Sequence, residues 1–138
     1  MDTERTARIL GYAGLVPFVV LALDPLTTQV FAPPLARLWL LGYGAVILSF
    51  LGGVVWGRSL RRDDAGTAMI VSVLIALAGW ASLLLIGGEA FWILAAGFAA
   101  ALAYDLGSDL PPWFRRLRIH LSIGAILSML AGALAQGW

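Results

Sequence analysis

The sequence contains no cysteine and no lysine, and only 12% of its 138 residues are charged. Without cysteine the chain has no disulfide, no thiolate metal ligand and no cysteine nucleophile. Soluble domains carry roughly 45–50% apolar and about 25% charged residues, whereas this chain is 61% hydrophobic with a mean hydropathy of +0.91. The composition therefore excludes a disordered chain, a nucleic-acid-binding protein with a basic face and an ordinary soluble enzyme, and it indicates a membrane protein.

Long uncharged segments separate the few charged residues. Because a helix needs about 20 mostly apolar residues to cross a bilayer, these segments predict an all-α integral membrane bundle of five transmembrane helices. The first and fourth segments are short, so flanking residues such as Arg8 and Asp105 must reach the headgroup region. The loops are too short to fold separately, so residues 1–138 are predicted to form one domain. The predicted spans are residues 7–24, 37–58, 66–87, 89–107 and 117–136.

The arginines indicate how the bundle is oriented. Five spans place the N-terminus, the second-to-third loop and the fourth-to-fifth loop on one side of the membrane. That side carries all arginines except Arg37, namely Arg5, Arg8, Arg58, Arg61, Arg62, Arg115, Arg116 and Arg118. Since cytoplasmic loops are enriched in basic residues, we expect a cytoplasmic N-terminus and a C-terminus across the membrane. Pro33-Pro34 and Pro111-Pro112 predict loop or surface segments, because proline is excluded from helix interiors.

Small residues at four-residue spacing predict the faces through which the helices pack. Lipid gives no hydrophobic drive for helix association, so helices in membranes associate through close backbone approach at small residues. We interpret these faces as contacts within the bundle, with a homodimer built on one of them as the alternative. The residues are Ala45, Ser49, Gly53 and Gly57 in the second span, Gly97 and Ala101 in the fourth, and Gly124, Ser128 and Gly132 in the fifth.

One group of polar residues is a candidate site. It comprises Asp105, Arg118, Arg58, Arg115 and His120. Asp105 lies on the small-residue face of the fourth span, so we expect it to point into the bundle and to pair with Arg118 or, next, with Arg58. One interpretation is a helix-end salt bridge that fixes the loop. The other is a pocket for a lipid headgroup or another anionic ligand, because arginines beside a membrane attract anionic lipids.

Little in the sequence supports catalysis or metal binding. No ionisable residue lies in the middle of a predicted span, which argues against a pump or a proton-coupled transporter. With one histidine and no cysteine, neither a metal site nor a cofactor is predicted, and hydrolytic triads, P-loops and dinucleotide fingerprints find no match. A membrane enzyme would need a catalytic pair inside the bundle, which only Asp105 with Arg118 or His120 could supply.

Four segments resemble a known family of small membrane proteins. They are RTARILGYAGLVPFVVLAL near the N-terminus, YGAVILSFLGGVVWG at 43–57, YDL at Asp105, and PPWFRRLRIHLSI around Trp113. Together they are similar to domain of unknown function 3429, whose mitochondrial relatives are called transmembrane protein 69, over nearly the whole chain. The resemblance implies a five-span protein of the bacterial inner membrane, and in that membrane the C-terminus predicted from the arginines is periplasmic. It implies no reaction, substrate or cofactor.

The sequence favours a non-enzymatic accessory or assembly partner of a larger membrane complex. The expected partners are the lipid bilayer and other membrane-protein subunits or a second copy of the chain, and no nucleic acid. The alternative is a binder or carrier of a small apolar or amphipathic ligand such as a lipid, a quinone or a porphyrin. That alternative predicts a cavity between the spans, lined by Trp80, Trp56, Tyr43 and Phe50.

Overall fold

The computed structural model describes residues 2–85 and 87–135. Within these residues the chain is all-α and has no strand, so the all-α part of the predicted fold class is confirmed. A short 3₁₀ turn, Asp24–Leu26, follows the first helix. The helices are α1 (Thr3–Leu23), α2 (Pro33–Ser59), α3 (Gly66–Ser82), α4 (Glu89–Leu106) and α5 (Pro112–Leu134).

Four of the five helices are long and apolar enough to cross a membrane. They are α1 together with the 3₁₀ turn, α2, α4 and α5. The remaining helix, α3, has 17 residues, which at 1.5 Å per residue extend about 26 Å, less than the roughly 30 Å hydrocarbon core of a bilayer. The third span was predicted at 66–87, but the helix ends at Ser82.

Three helices begin earlier than predicted, and two of them, α2 and α5, begin with proline. Pro33 and Pro34 lie in the first turn of α2, and Pro112 is the first residue of α5. The expectation of a loop at Pro33-Pro34 is therefore wrong. Proline is tolerated in the first helical turn, because the N–H that it lacks would have no partner within the helix there. The predicted end of the fifth span, residue 136, lies outside the described residues.

The outer surface of the bundle is apolar. Large hydrophobic side chains on every helix are exposed, for example Leu10, Phe50, Leu74, Ile93 and Leu127. A monomeric soluble protein rarely exposes a continuous apolar surface of this kind. This surface therefore suits contact with lipid chains rather than with water.

The core lies between α2 and α4. α2 contacts each of the other four helices, and Leu40 and Leu48 on its inner face are almost completely buried. Phe91, Leu94 and Phe98 on α4 are equally buried and face them. α2 therefore serves as the central helix against which the others are aligned.

Three of the predicted small residues lie at close helix contacts. A Cβ atom added to Gly97 would lie 2.5 Å from a Leu48 methyl group, and one added to Gly132 would lie 2.6 Å from the Phe91 ring. A Cβ atom at Gly124 would lie 2.8 Å from a leucine methyl group of α1. Real Cβ atoms do not approach other atoms so closely, so a larger residue at any of these positions would require its neighbour to shift, which is easier for a leucine methyl group than for the buried Phe91 ring. Ala45, Ala101 and Ser128 are also buried.

The predicted packing face of α2 is wrong in the C-terminal part of the helix. Gly53 and Gly57 are exposed, with no atom within 4 Å of an added Cβ. Each residue of an α-helix advances by about 100°, so a strict four-residue step rotates by about 40°, and the stripe leaves the buried face two steps after Ala45. Ser49, in the middle of the stripe, reaches α3 and donates to the carbonyl of Ala76 at 3.4 Å. The buried face instead follows Leu41, Ala45, Leu48, Gly52, Val55 and Ser59.

Leucine substitutions will distinguish a glycine at a helix contact from a glycine on the exposed face of α2. We expect Gly132→Leu to lower the free energy of unfolding by at least about 1–3 kcal/mol, because the new side chain overlaps the buried Phe91 ring. Gly53→Leu introduces the same change into open space and should unfold like the wild type. The measurement is the thermal unfolding midpoint in a mild detergent. Equal midpoints for the two variants would contradict the packing described above.

Candidate functional site

The carboxylate of Asp105 joins three helices. Asp105 lies in the last turn of α4 and is only 5% exposed. Its Oδ1 accepts a hydrogen bond from Nη2 of Arg58 on α2 at 2.7 Å, and its Oδ2 accepts one from Nε of Arg118 on α5 at 2.6 Å. We call these three residues the Asp105 triad. It brings together the C-terminal ends of α2 and α4 and the N-terminal part of α5, which we call the arginine end of the bundle.

The local sequence explains why a charged side chain is buried at this position. Leu94, Phe98 and Ala101 precede Asp105 at helical spacing, and all three are buried, so the same face of α4 carries Asp105 into the bundle. A negative charge near a helix C-terminus is unfavourable, because the partial charge of the helix is negative there. Asp105 therefore depends on the two guanidinium groups that bond it.

The charges of the triad do not balance. Two guanidinium groups share one carboxylate, which leaves one net positive charge. Nη1 of Arg58 and Nη2 of Arg118 are buried and have no hydrogen-bond partner among the described residues. The Arg118 side chain is 7% exposed, whereas that of Arg58 is 31% exposed. Buried polar atoms are usually hydrogen-bonded, so the Arg118 nitrogen is the more unusual of the two.

A cavity of about 160 Å³ lies beside Arg118, between α1, α2, α4 and α5. We call it the Arg118 groove. Its polar lining consists of Arg118 and Ser122, and the remaining walls are apolar side chains and glycines. Ser122 is 1% exposed, and its Oγ also has no hydrogen-bond partner among the described residues. The groove thus combines an apolar lining with two polar residues, each of which has a buried, unpaired polar atom; we call these two residues its polar end.

The groove opens onto the apolar outer surface. Leu10 of α1 and Phe50 of α2 both line it, and they are 66% and 65% exposed. Phe18 and Phe98 form its inner wall and contact each other edge to face, with ring centroids 5.8 Å apart. A molecule could therefore enter from the side of the bundle and extend towards Arg118.

A second, more polar cavity of about 420 Å³ lies at the arginine end. Arg58, Arg62, Tyr104 and Asp109 line it, together with residues of α2, of α3 and of the loop after α4. Arg62 also pairs with Asp64 in the loop after α2. This hydrogen-bonded pairing holds the pKa of the Asp64 carboxyl below its ordinary value. The exposed charges make this cavity suited to water and soluble ions rather than to apolar molecules.

The chain matches a known protein family over nearly its whole length. The family described as "Protein of unknown function (DUF3429)" matches residues 3–134. The chain belongs to this family. Curated relatives named "Transmembrane protein 69" are 36% identical over 137 residues in Xenopus tropicalis and 30% identical over 138 residues in Mus musculus. No solved structure matches the chain.

The matches cover most of this chain but only part of the relatives. They span 94% of this chain, 54% of the Xenopus protein and 56% of the mouse protein, so the chain spans about half the length of the curated relatives it matches. The family resemblance predicted from the sequence is confirmed. The curated relatives are named as transmembrane proteins, and four helices of this chain are long and apolar enough to cross a membrane.

Two of the five predicted polar residues lie apart from the triad. Arg115 donates from Nη2 to the backbone carbonyl of Leu106 and so ties the start of α5 to the end of α4. His120 is exposed, and its Nδ1 is 2.8 Å from the hydroxyl of Tyr12 on α1. The described contacts therefore contain no pair between Asp105 and His120. Nor do three His, Asp or Glu side chains gather into a metal site within the described ranges.

The four residues predicted to line one cavity are not brought together. Phe50 lines the Arg118 groove, and Tyr43 lies behind it, with its hydroxyl donating to the carbonyl of Gly14 at 2.8 Å. Trp56 lies on an outer surface between α2 and α3. Trp80 is 57% exposed, because only the opposite face of α3 packs against the bundle.

Two functional or structural residues were missed by sequence reasoning. Ser122 lies one turn after Arg118 on the same face of α5, so its spacing of four residues could have indicated it. Asp24 is 4% exposed and caps the loop after α1. Its carboxylate accepts hydrogen bonds from the Thr28 hydroxyl and from the backbone N–H groups of Val30 and Phe31. The sequence feature that could have indicated this role of Asp24 is an acidic residue followed by Thr28 in a short turn.

Neutralising Asp105 will test the triad. We expect Asp105→Asn to lower the free energy of unfolding by about 3 kcal/mol, because it leaves the buried guanidinium group of Arg118 and the partly buried one of Arg58 without an anion. Asp109→Asn is the matched control, since Asp109 is exposed in the adjoining loop and forms no ion pair among the described residues. Denaturant-induced unfolding in detergent measures both. A stability loss of similar size in the two variants would show that Asp105 has no special role.

Proposed function

We propose that this protein binds a lipid-like molecule, with one polar head and an apolar chain, in the Arg118 groove. The observation that carries the proposal is the pair of buried, unpartnered polar groups, Nη2 of Arg118 and Oγ of Ser122, at the end of an apolar cavity. Ligand sites are typically apolar clefts in which a few convergent polar groups fix the orientation of the ligand. The groove has this form.

The chemistry of the two groups limits the head of the ligand. Arginine can only donate hydrogen bonds, and serine can donate or accept, so the head must carry an acceptor oxygen. The volume of about 160 Å³ is close to that of an engineered cavity, about 150 Å³, that holds one benzene molecule. The groove therefore holds the head and the first part of the chain. The rest of the chain extends past Leu10 and Phe50 into the bilayer.

A docking role as an accessory subunit is the second candidate. It is favoured by the outward face of α2, where Gly53 and Gly57 leave space for another helix. Two glycines at this spacing allow the backbones of two membrane helices to approach closely. The partner in this case is a membrane-protein subunit whose helix covers this face.

The proposal includes a topology. All five helices cross the bacterial inner membrane, with the arginine end in the cytoplasm and the described C-terminal end in the periplasm. The short helix α3 is accommodated by local thinning of the bilayer. The Arg118 groove then opens into the cytoplasmic leaflet.

Reporter fusions test this topology. We expect alkaline phosphatase fused after Leu134 to be active, because this enzyme folds only outside the cytoplasm, and a fusion in the Arg61–Gly66 loop to be inactive. Green fluorescent protein at the same two positions should give the opposite pattern. Active alkaline phosphatase at the loop, or equal activity at both positions, would contradict the topology.

Extraction from the native membrane tests the binding function. We expect mass spectrometry of the gently purified protein to find a retained amphipathic molecule, and Gly14→Leu to reduce its occupancy about tenfold by filling the groove. A Cβ atom at Gly14 has no neighbour closer than 3.9 Å, so the helix contacts tolerate the change. Gly42→Leu is the matched control, because Gly42 faces open space and lies outside the groove.

The same preparation separates the two candidate functions. Retention of the molecule by Gly14→Leu at wild-type occupancy would contradict the binding proposal. A stoichiometric protein subunit that is lost from Gly53→Leu and kept by Gly42→Leu would support the accessory role instead. Recovery of the wild-type protein with neither a molecule nor a subunit would contradict both.

A further inference from the structure

The Asp105 triad indicates the charge of the molecule that the groove accepts. We propose that the ligand is a single-chain carboxylate of the fatty-acid class, whose anionic head bonds Arg118 and Ser122. This inference rests on the proposed binding function and adds the chemistry of the head. It is argued from the charge balance, the number of unpaired donors and the size of the groove.

The charge balance of the triad favours an anion. The triad holds two guanidinium groups and one carboxylate, and Arg118 and Asp105 are both nearly completely buried. A buried charge without a partner is strongly unfavourable, and it is stabilised when an opposite charge is hydrogen-bonded to it. Asp105 already uses both of its carboxylate oxygens on the two arginines. A second carboxylate at Nη2 of Arg118 would bring the net charge of the assembly to zero.

The number of donors favours a carboxylate over a phosphate. The polar end of the groove offers two unpaired groups, Nη2 of Arg118 and Oγ of Ser122. They lie on successive turns of α5, so both face the same space. A carboxylate has two oxygens and can accept one hydrogen bond from each group. A phosphate monoester would leave further oxygens against apolar walls such as Phe18 and Phe98, which is unfavourable.

The size and shape of the groove favour a single chain. A cavity of about 160 Å³ has room for a carboxylate and a short length of one chain. Two of the α1 residues that line the groove, Gly11 and Gly14, carry no side chain and so take up little of its volume. A two-chain glycerolipid would require the glycerol backbone to enter between α1 and α5, where a Cβ at Gly11 would already lie 2.9 Å from Leu121.

Spin-labelled lipid analogues test the proposal. The wild-type protein is delipidated in detergent and reconstituted into nanodiscs of phosphatidylcholine at pH 8, where a fatty acid is ionised. The probes are stearic acid with a nitroxide on its chain and the methyl ester of the same molecule. We expect the protein to immobilise the acid with an affinity about tenfold higher than the ester, as measured by electron paramagnetic resonance. The acyl chain is identical in both probes, so the difference in affinity reports the contribution of the head.

Two serine variants assign the preference to the groove. Ser122→Ala removes one of the two donors, and we expect it to weaken binding of the acid about fivefold. Ser128→Ala is the matched control, because Ser128 is also buried on α5 but donates to the carbonyl of Gly124. It should bind the acid like the wild type. Arg118→Gln should abolish the preference for the acid, and the serine pair keeps the test decisive where that variant fails to fold.

The outcomes distinguish this inference from the proposed function. Equal immobilisation of the acid and the ester in the wild type would overturn the anionic head and leave lipid binding intact. Stronger binding of a single-chain phosphate, lysophosphatidic acid, would overturn the carboxylate in favour of another anion. Immobilisation of neither probe beyond that in protein-free nanodiscs would overturn both proposals. An identical loss of affinity for the acid in Ser122→Ala and Ser128→Ala would place the head outside the groove.

Discussion

The bonds from Arg58 and Arg118 to the single carboxylate of Asp105 are the interaction on which the rest of this structure depends. Lipid chains are as apolar as the helix surfaces, so the hydrophobic effect does not hold membrane helices together. Close packing at Gly97, Gly124 and Gly132 aligns the helices. The triad is the polar connection that fixes α2, α4 and α5 relative to one another at the arginine end.

This structural role is linked to the proposed function. Asp105 bonds Arg118 through Nε and thereby orients the guanidinium group, with Nη2 buried beside the groove. The triad therefore fixes the orientation of Arg118 and leaves its Nη2 free to donate to a ligand. An isolated arginine on a membrane helix would instead extend towards the headgroups. A fixed donor at the end of an apolar groove is better suited to recognising one kind of head than to general attraction of anionic lipids.

Parts of this arrangement were predictable from the sequence, and parts were not. The apolar segments predicted five helices, and the spacing of Asp105 after Ala101 predicted that it faces the bundle and pairs with arginine. The orientation of Gly53 and Gly57 was not predictable from a four-residue spacing, because the helix rotates away from its partner over several turns. The exposure of Trp80 and His120 depends on which face of α3 and of α5 is covered, and only the tertiary packing decides this. Ser122 gains its significance from a groove whose walls come from four helices.

The most direct test of this account is an experimental structure of the protein in lipid nanodiscs that contain a fatty acid. The account predicts that Asp105 bonds Arg58 and Arg118, and that density for a head and a chain lies within hydrogen-bond distance of Arg118 Nη2 and Ser122 Oγ. A structure in which Arg118 turns away from Asp105, or in which a side chain of the protein itself bonds Arg118 Nη2 and closes the groove, would contradict it.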